Sequence, residues 1–277
     1  MSTGVQAHTV KRVLQTPRTF SNWAAVLTDM AREKVGRGPE NLTFVVRSGL
    51  SVECPNRPGA RVPIYEIFAE DCYHFEWFLG PLAHRPLQVL DAGGQVGTFS
   101  CRLAQLHPQA TIRTYEPSPV TASYLRRNVE RNGFGDRITV VEQALASSVG
   151  TAEFADNGAG SGENSLVLGS RGGAATTTVE TTTFDAAVAA ASGPVELCKI
   201  DCEGGEYDMV YASSPDSWAS VRRLVIEYHP VEGQSWEELR AWFEHVGLGV
   251  QHQESADPTS GVGVVWLSRD PLPRLRA

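Results

Sequence analysis

Five ionisable side chains, Asp91, Glu116, Asp201, Glu227 and His229, each stand at or just past the carboxyl end of an apolar run with strand character. Ligands of open α/β sheets bind outside those strand ends, so the spacing predicts one crevice with acids along its wall. Acids there favour a ligand that carries positive charge. The first run, Leu87 to Leu90, passes through Asp91 into a loop with Gly93, Gly94 and Gly97, then into apolar residues at helical spacing: Val96, Phe99, Leu103 and Leu106. Glycines in such a loop accept positive φ and, lacking Cβ, admit a ligand to bare backbone. A dinucleotide is disfavoured: its G-x-G-x-x-G fingerprint rests a pyrophosphate on the helix start. Here Ala92 holds the first glycine position and Asp91 would repel a diphosphate. S-adenosylmethionine, with a sulfonium and an ammonium, suits the order Asp-x-Gly-x-x-x-Gly. The next strand, Thr111 to Tyr115, ends at Glu116, where a ribose-binding acid belongs in a nucleotide-binding βαβ unit. Gln143 and Ala144, at the end of the third strand, are the candidates for the adenine.

A sheet is needed to bring these groups together. From Leu87 onward strand-like and helix-like segments alternate, the mark of a parallel sheet covered on both faces. Ser118-Pro119 opens a helix through Val120, Tyr124, Leu125 and Val129 that stops at Asn132-Gly133. Further strands are expected at Ile138 to Glu142, Val195 to Ile200 and Arg223 to Ile226. A helix from Ser235 to His245 leads to strands near Val250 and at Val262 to Leu267, close enough in sequence to pair antiparallel. The expected fold is therefore α/β: a class I methyltransferase, Rossmann-like, seven-stranded and mostly parallel sheet with helices on both faces.

An N-terminal helix and hairpin extension precedes it. Residues 1–20 lack periodicity and read as a loosely held arm. Ser21 is the expected cap of a helix through Trp23, Val26, Leu27 and Met30. Leu42 to Arg47 and Leu50 to Cys54 flank Ser48-Gly49 as a hairpin. Arg57-Pro58-Gly59 breaks the chain, and Ile64 to Leu79 reads as one aromatic-rich cap helix closed by Gly80-Pro81. The division expected is 1–85 for arm, helix, hairpin and cap helix, and 86–277 for the cofactor-binding domain. The glycine-rich stretch 156–175 is too long for a simple connection and is either a functional loop or a surface insertion.

With 24 basic and 32 acidic residues, a net charge of -8, the chain is unsuited to wrapping nucleic acid or an anionic membrane. The expected partner is a small-molecule acceptor, and a homodimer is the candidate assembly. Five cysteines without a C-x-x-C pair do not make a secreted disulfide framework. Cys198 and Cys202 read as small core residues. Neither a signal sequence nor a run of roughly 20 apolar residues is present, so a cytoplasmic protein is expected. The Ala, Gly, Arg and Val bias suggests a GC-rich bacterial source.

The motifs resemble those of the FkbM family of S-adenosylmethionine-dependent methyltransferases over roughly residues 64–250. Val89-Leu90-Asp91-Ala92-Gly93-Gly94-Gln95-Val96-Gly97 resembles its first motif, Tyr115-Glu116-Pro117-Ser118-Pro119 its second, and Val141-Glu142-Gln143-Ala144-Leu145 with Gly150 its third. Lys199-Ile200-Asp201-Cys202-Glu203-Gly204-Gly205-Glu206, the most specific part, and Val225-Ile226-Glu227-Tyr228-His229 complete the set. Gly94-Gln95 departs from the family's usual Ala-Asn, and Gly205 from its usual Ala. The first change is expected to alter the contact to the methionine moiety, neither to abolish the fold. Ile67-Phe68 and Tyr73 resemble the helix before the first motif, which implies that Tyr73 touches the cofactor. Carried onto matching positions, the resemblance implies a cofactor site of Tyr73, Asp91, Gly93, Gly94, Gln95, Gly97, Glu116, Pro117, Gln143, Ala144 and Asp201.

The activity implied is methyl transfer from S-adenosylmethionine, leaving S-adenosylhomocysteine. The expected reaction is O-methylation of a hydroxyl on a polyketide or glycoside. In-line displacement gains about 7 kcal/mol or more from proximity and orientation, and a base assists because an alcohol is a poor nucleophile until its proton leaves. His229, with an ordinary pKa of about 6.5, is the first candidate base, and Asp201 the second. Helix-start stabilisation is the expected role of Glu203 and Glu206. A divalent metal is not expected; if one is used, its ligands are Asp201, Glu227 and His229. The rival readings are a non-catalytic S-adenosylmethionine-binding protein and an NAD-dependent Rossmann protein, the latter opposed by Asp91 and Ala92.

Overall fold

The computed structural model describes residues 3–156, 158, 164–166, 175–257 and 261–275. Helices α1 (Thr3–Thr19) and α2 (Trp23–Glu33) come first, then the antiparallel pair β1 (Asn41–Val45) and β2 (Ser51–Pro55), then α3 (Pro58–Phe68) and α4 (Phe75–Leu79). The alternating part follows with β3 (Leu87–Ala92), α5 (Thr98–Leu106), β4 (Ala110–Tyr115), α6 (Pro119–Arg131) and β5 (Ile138–Val141). Next are β6 (Ala144–Leu145), β7 (Gly150–Asp156), β8 (Ala175–Thr182), α7 (Phe184–Ala189), β9 (Val195–Ile200) and α8 (Glu206–Ala212). The chain continues through β10 (Arg223–Tyr228), α9 (Trp236–His245), β11 (Gly249–Asp257) and β12 (Val262–Ser268).

Seven strands form one sheet in the order β11-β12-β10-β9-β3-β4-β5. Neighbours from β10 to β5 run parallel, and β12 pairs antiparallel with both β10 and β11. The expected α/β class and terminal hairpin are both present. Strands β3 and β9 are buried along nearly their whole length, as central parallel strands covered on both faces must be. Alternate residues feed two cores: Leu90, Cys198 and Ile226 on one face with Trp218, Phe184 and Phe243, and Val89, Leu197 and Val225 on the other with Phe99 and Leu103. From β3 the chain moves outward through β4 to β5, then returns to place β9 on the other side of β3. That reversal opens a crevice beyond the ends of β3 and β9. Strands β6, β8 and β7 form a separate small sheet. Most of the 156–175 stretch lies outside the described residues. No helix among the described residues is long and apolar enough to cross a membrane.

The N-terminal segment departs from expectation in three places. Residues 3–19 are helical rather than a loose arm, held by polar contacts that leave no apolar periodicity. Thr16 is fully buried against the Tyr65 hydroxyl at 2.8 Å, and Lys11 pairs with Glu70 at 3.0 Å. Ser21 does not cap α2. Asn22 holds the cap position while its side chain bonds the backbone of Thr43 and Val45, and the Ser21 hydroxyl donates to the Val45 carbonyl. The expected single cap helix is two: α3 starts at Pro58, whose fixed φ suits a first helical turn, and the chain breaks at Asp71 and His74, both with positive φ.

Helix α6 holds the hairpin to the sheet domain through two asparagines one turn apart. Asn132 accepts from the Ser51 amide and donates to its carbonyl; Asn128 does the same at Glu53 and also donates to the Val96 carbonyl. Two carboxamides thus pair with β2 as a neighbouring strand would. Asn128 is fully buried, so Asn128→Ala strands several backbone groups and is expected to cost about 2–4 kcal/mol of stability, measurable by denaturant unfolding.

Candidate active site

Asp91 and Lys199 are register partners on adjacent strands, both buried. One Asp91 carboxylate oxygen accepts from the hydroxyls of Ser100 (2.6 Å) and Thr114 (3.1 Å), while the other faces the Lys199 ammonium at 3.6 Å. Lys199 donates to the carbonyls of Gly93 (2.7 Å) and Ala92 (3.3 Å) and lies 3.3 Å from Asp201. Burial alone would strip Lys199 of its proton, but the charges of Asp201 and Asp91 outweigh it and hold the ammonium firmly protonated. Burial also pushes the Asp91 carboxyl up, opposed by Lys199 and the two hydroxyls.

The glycines of the loop are dictated by this packing. A Cβ on Gly93, which has φ of +84°, would fall 1.8 Å from the Asp201 carbonyl oxygen, and one on Gly94 2.2 Å from the Thr114 hydroxyl. The Thr114 hydroxyl that serves Asp91 therefore occupies the space of the alanine methyl expected at position 94. Gly97, with φ of +88°, begins α5 against Leu125.

Beyond the loop lies a cavity of about 950 Å³. Of the residues expected to bind the cofactor, Tyr73, Gly93, Gly94, Gln95, Glu116, Pro117, Gln143, Ala144 and Asp201 line it. Asp91 and Gly97 do not. Asp91 lies beneath the loop and reaches the cavity only through Lys199, and Gly97 turns the chain into the helix. The two oxygens of Glu116 accept from the Gln95 and Ser118 amides at 2.9 and 3.0 Å, which fixes the carboxylate at the end of β4. Burial pushes Glu116 up to about 7 despite those amides. Tyr73 packs edge-on against Phe99, and burial holds its phenol protonated. Leu145, Phe154 and Leu166 make an apolar wall beside Gln143 and Ala144.

Seven carboxylates line the cavity, Glu66, Glu70, Glu116, Asp201, Glu203, Glu227 and Glu254, against one lysine and one histidine. His229 sits among four of the protein's acids. Its Nδ1 is 3.3 Å from Glu206, and its Nε2 is 3.3 Å from Glu203 and 3.6 Å from Glu227. Burial works to lower its pKa, but the Glu206 hydrogen bond and the charges of Glu206, Asp201 and Glu203 push it up to about 10. The expected neutral imidazole near pH 7 is thus corrected to an imidazolium. Burial and the charge of Asp201 raise both Glu203 and Glu227. Ligand atoms of Asp201, Glu227 and His229 lie within 4.8 Å of one another, close enough to share a metal ion.

Glu206 does more than start α8. Fully buried, it accepts from the amides of Gly204 (2.9 Å) and His229 (2.6 Å), tying α8 to the end of β10. Cys202 packs against the core as expected and also lines the cavity, and all five cysteines are free. Lys199 and Glu66 were not among the sequence candidates. A lysine inside an apolar strand two residues before Asp201, on the same side of the pleat, was the available signal for the first; a glutamate between Ile64 and Ile67 was the signal for the second. Burial pushes Glu66 up to about 7.

Each of these raised groups binds more protons folded than unfolded, so its stabilisation is complete at low pH and is lost as pH rises through the folded value. The unfolding midpoint is therefore expected to fall between about pH 5 and 10, first through the glutamates and then through His229. Glu227→Gln removes one raised acid and relaxes its neighbours, so its profile should be flatter in a thermal melt series; an unchanged slope would show that Glu227 is not among the raised acids.

Comparison with known proteins agrees with this geometry. The Methyltransferase FkbM domain model matches residues 91–248, more than half of the chain. Methyltransferase sdnD of Sordaria araneosa is 26% identical over 191 residues, covering 58% of this chain and 72% of its own. The 31-O-demethyl-FK506 methyltransferase FkbM of Streptomyces tacrolimicus is 25% identical over 225 residues, covering 69% and 83%. In fold, the METTL16 methyltransferase domain matches with a TM-score of 0.50 at 15% identity, covering 90% of this chain and 80% of that one. A sheet in this strand order, a glycine loop braced from β9 and a matched domain model leave one assignment: the chain belongs to the FkbM family of S-adenosylmethionine-dependent methyltransferases.

Proposed function

We propose that the chain methylates a hydroxyl of a small natural product, a polyketide or glycoside, in a bacterial biosynthetic pathway. The observation that carries this reading is a cavity of about 950 Å³, at the upper end of small-molecule sites and so roomy enough for donor and acceptor together. Its floor is the glycine loop and Glu116, and its far side is Val62, Pro63 and Ile67 from α3. The names of the relatives support it, one being a 31-O-demethyl-FK506 methyltransferase.

The residues fit the donor. Glu116 keeps lone pairs for ribose hydroxyls after accepting its two amides, and the surrounding carboxylates suit a sulfonium and an ammonium. S-adenosylmethionine, when bound, supplies a methyl group already activated on positive sulfur. Glu116, Gln143 and Ala144 orient its nucleoside, and Tyr73 closes over the reacting end. Glu227, raised by burial toward the working pH, takes the proton of the acceptor hydroxyl as oxygen attacks carbon. The broken bond's electrons return to sulfur. Asp201 already shares an oxygen with Lys199, and the His229 imidazolium orients the carboxylates about it rather than accepting the proton. In a second reading, favoured by the clustering of Asp201, Glu227 and His229, those three side chains would hold a divalent ion, which would supply a Lewis acid for the acceptor hydroxyl.

Incubation with S-adenosylmethionine and a panel of hydroxylated polyketides and glycosides should give a product heavier by one methylene. Glu227→Gln should lower kcat/KM by about 10²–10⁴-fold while leaving S-adenosylhomocysteine binding intact. Methylation confined to amines, or an undiminished Glu227→Gln enzyme, would overturn the proposal; full activity in chelator would remove the metal-assisted form.

A further inference from the structure

His74, His252 and Glu254 stand together in a second cluster, with Glu254 on the wall of the cavity. His74 Nε2 lies 3.0 Å and His252 Nε2 2.8 Å from the same Glu254 oxygen, and the three ligand atoms fall within 4.8 Å of one another. We propose that these three side chains bind one zinc-like transition-metal ion, which clamps the cap segment before α4 to the edge strand β11.

The backbone aims all three ligands at one point. His74 immediately precedes α4 with φ of +47° and ψ of +51°, a conformation that is uncommon for a residue other than glycine. His252 and Glu254, two apart on β11, project from the same side of the strand. Donors around a tetrahedral ion at 2.0–2.1 Å are about 3.3 Å apart, so each histidine–glutamate pair needs to spread by only about half an ångström or less, while the two histidine nitrogens lie within 4.8 Å of each other. Glu254, the most exposed of the three, has room to do so.

The surroundings fix both imidazoles. Trp266 lies 5.2 Å from each imidazole, and Trp77 lies 6.4 Å from His74 and 6.0 Å from His252, measured between ring centroids. The two imidazoles stand 5.9 Å apart between ring centroids, so those indoles hold both rings in place around Glu254. Two neutral imidazoles and one carboxylate are a donor set for zinc rather than for magnesium or calcium. All three side chains are partly exposed to solvent, which gives an ion an entry path. Because Glu254 lines the cavity, the ion would fix part of its wall.

The test uses the whole protein, stripped with chelator and dialysed, then titrated with zinc chloride by calorimetry and with cobalt chloride by visible absorption. One zinc per chain should bind, cobalt should show the intense visible bands of a four-coordinate site, and excess magnesium should not compete. His252→Ala and the shape-preserving Glu254→Gln should each weaken zinc binding about tenfold or more and abolish its effect on the melting temperature, whereas Glu227→Gln should retain both. Absence of stoichiometric zinc binding, binding unmoved by His252→Ala and Glu254→Gln, or binding lost in Glu227→Gln would overturn the proposal.

Discussion

Two opposite charges buried side by side on neighbouring strands organise this molecule. Asp91 on β3 and Lys199 on β9 meet where the strand order reverses. Taking either charge out of water alone would cost several kcal/mol. The cost is met locally: Ser100 and Thr114 donate to the acid, and two loop carbonyls accept from the ammonium. Each hydrogen bond also fixes geometry. Lys199 pulls the Gly93 carbonyl toward β9, Thr114 crowds position 94 until only hydrogen fits, and the loop is locked in shape before any ligand arrives.

That locked loop faces a cavity with far more acid than base. Water cannot screen so many carboxylates in a half-closed space, so the protein holds protons there instead. His229 keeps one, and burial raises Glu116, Glu203 and Glu227. Such a cluster responds strongly to an arriving cation, which replaces protons that the acids hold only for want of a counter-charge. Glu206, buried beneath and bound to two amides, keeps His229 from swinging away as those charges change.

Much of the sheet was legible because central parallel strands are largely apolar runs bounded by glycine or an acid, as β3, β9 and β10 are, while β4 shows the period-two pattern of a strand. Glu116, Asp201, Glu227 and His229 were legible for the same reason, since strand ends share one edge. Asp91 shows where this reasoning stops: position at a strand end does not say whether a side chain turns into the crevice or under the loop. His229 shows a second limit, because its charge is decided by Glu203 and Glu206, which sequence assigns to helix stabilisation. The N-terminal segment was read least well. Its order comes from polar pairs across long separations, Thr16 with Tyr65 and Asn128 with β2, and these leave no periodic trace.

Calorimetric titration of S-adenosylhomocysteine into the wild-type protein and its Glu116→Gln variant is the most direct measurement of whether this acid-walled, glycine-floored pocket holds the donor. One-to-one binding is expected in the wild type, with proton release near pH 7, and affinity about tenfold lower or worse in the variant, as loss of charge-assisted hydrogen bonds requires. Equal affinity in the two proteins, or no binding by the wild type, would contradict the assignment of the pocket.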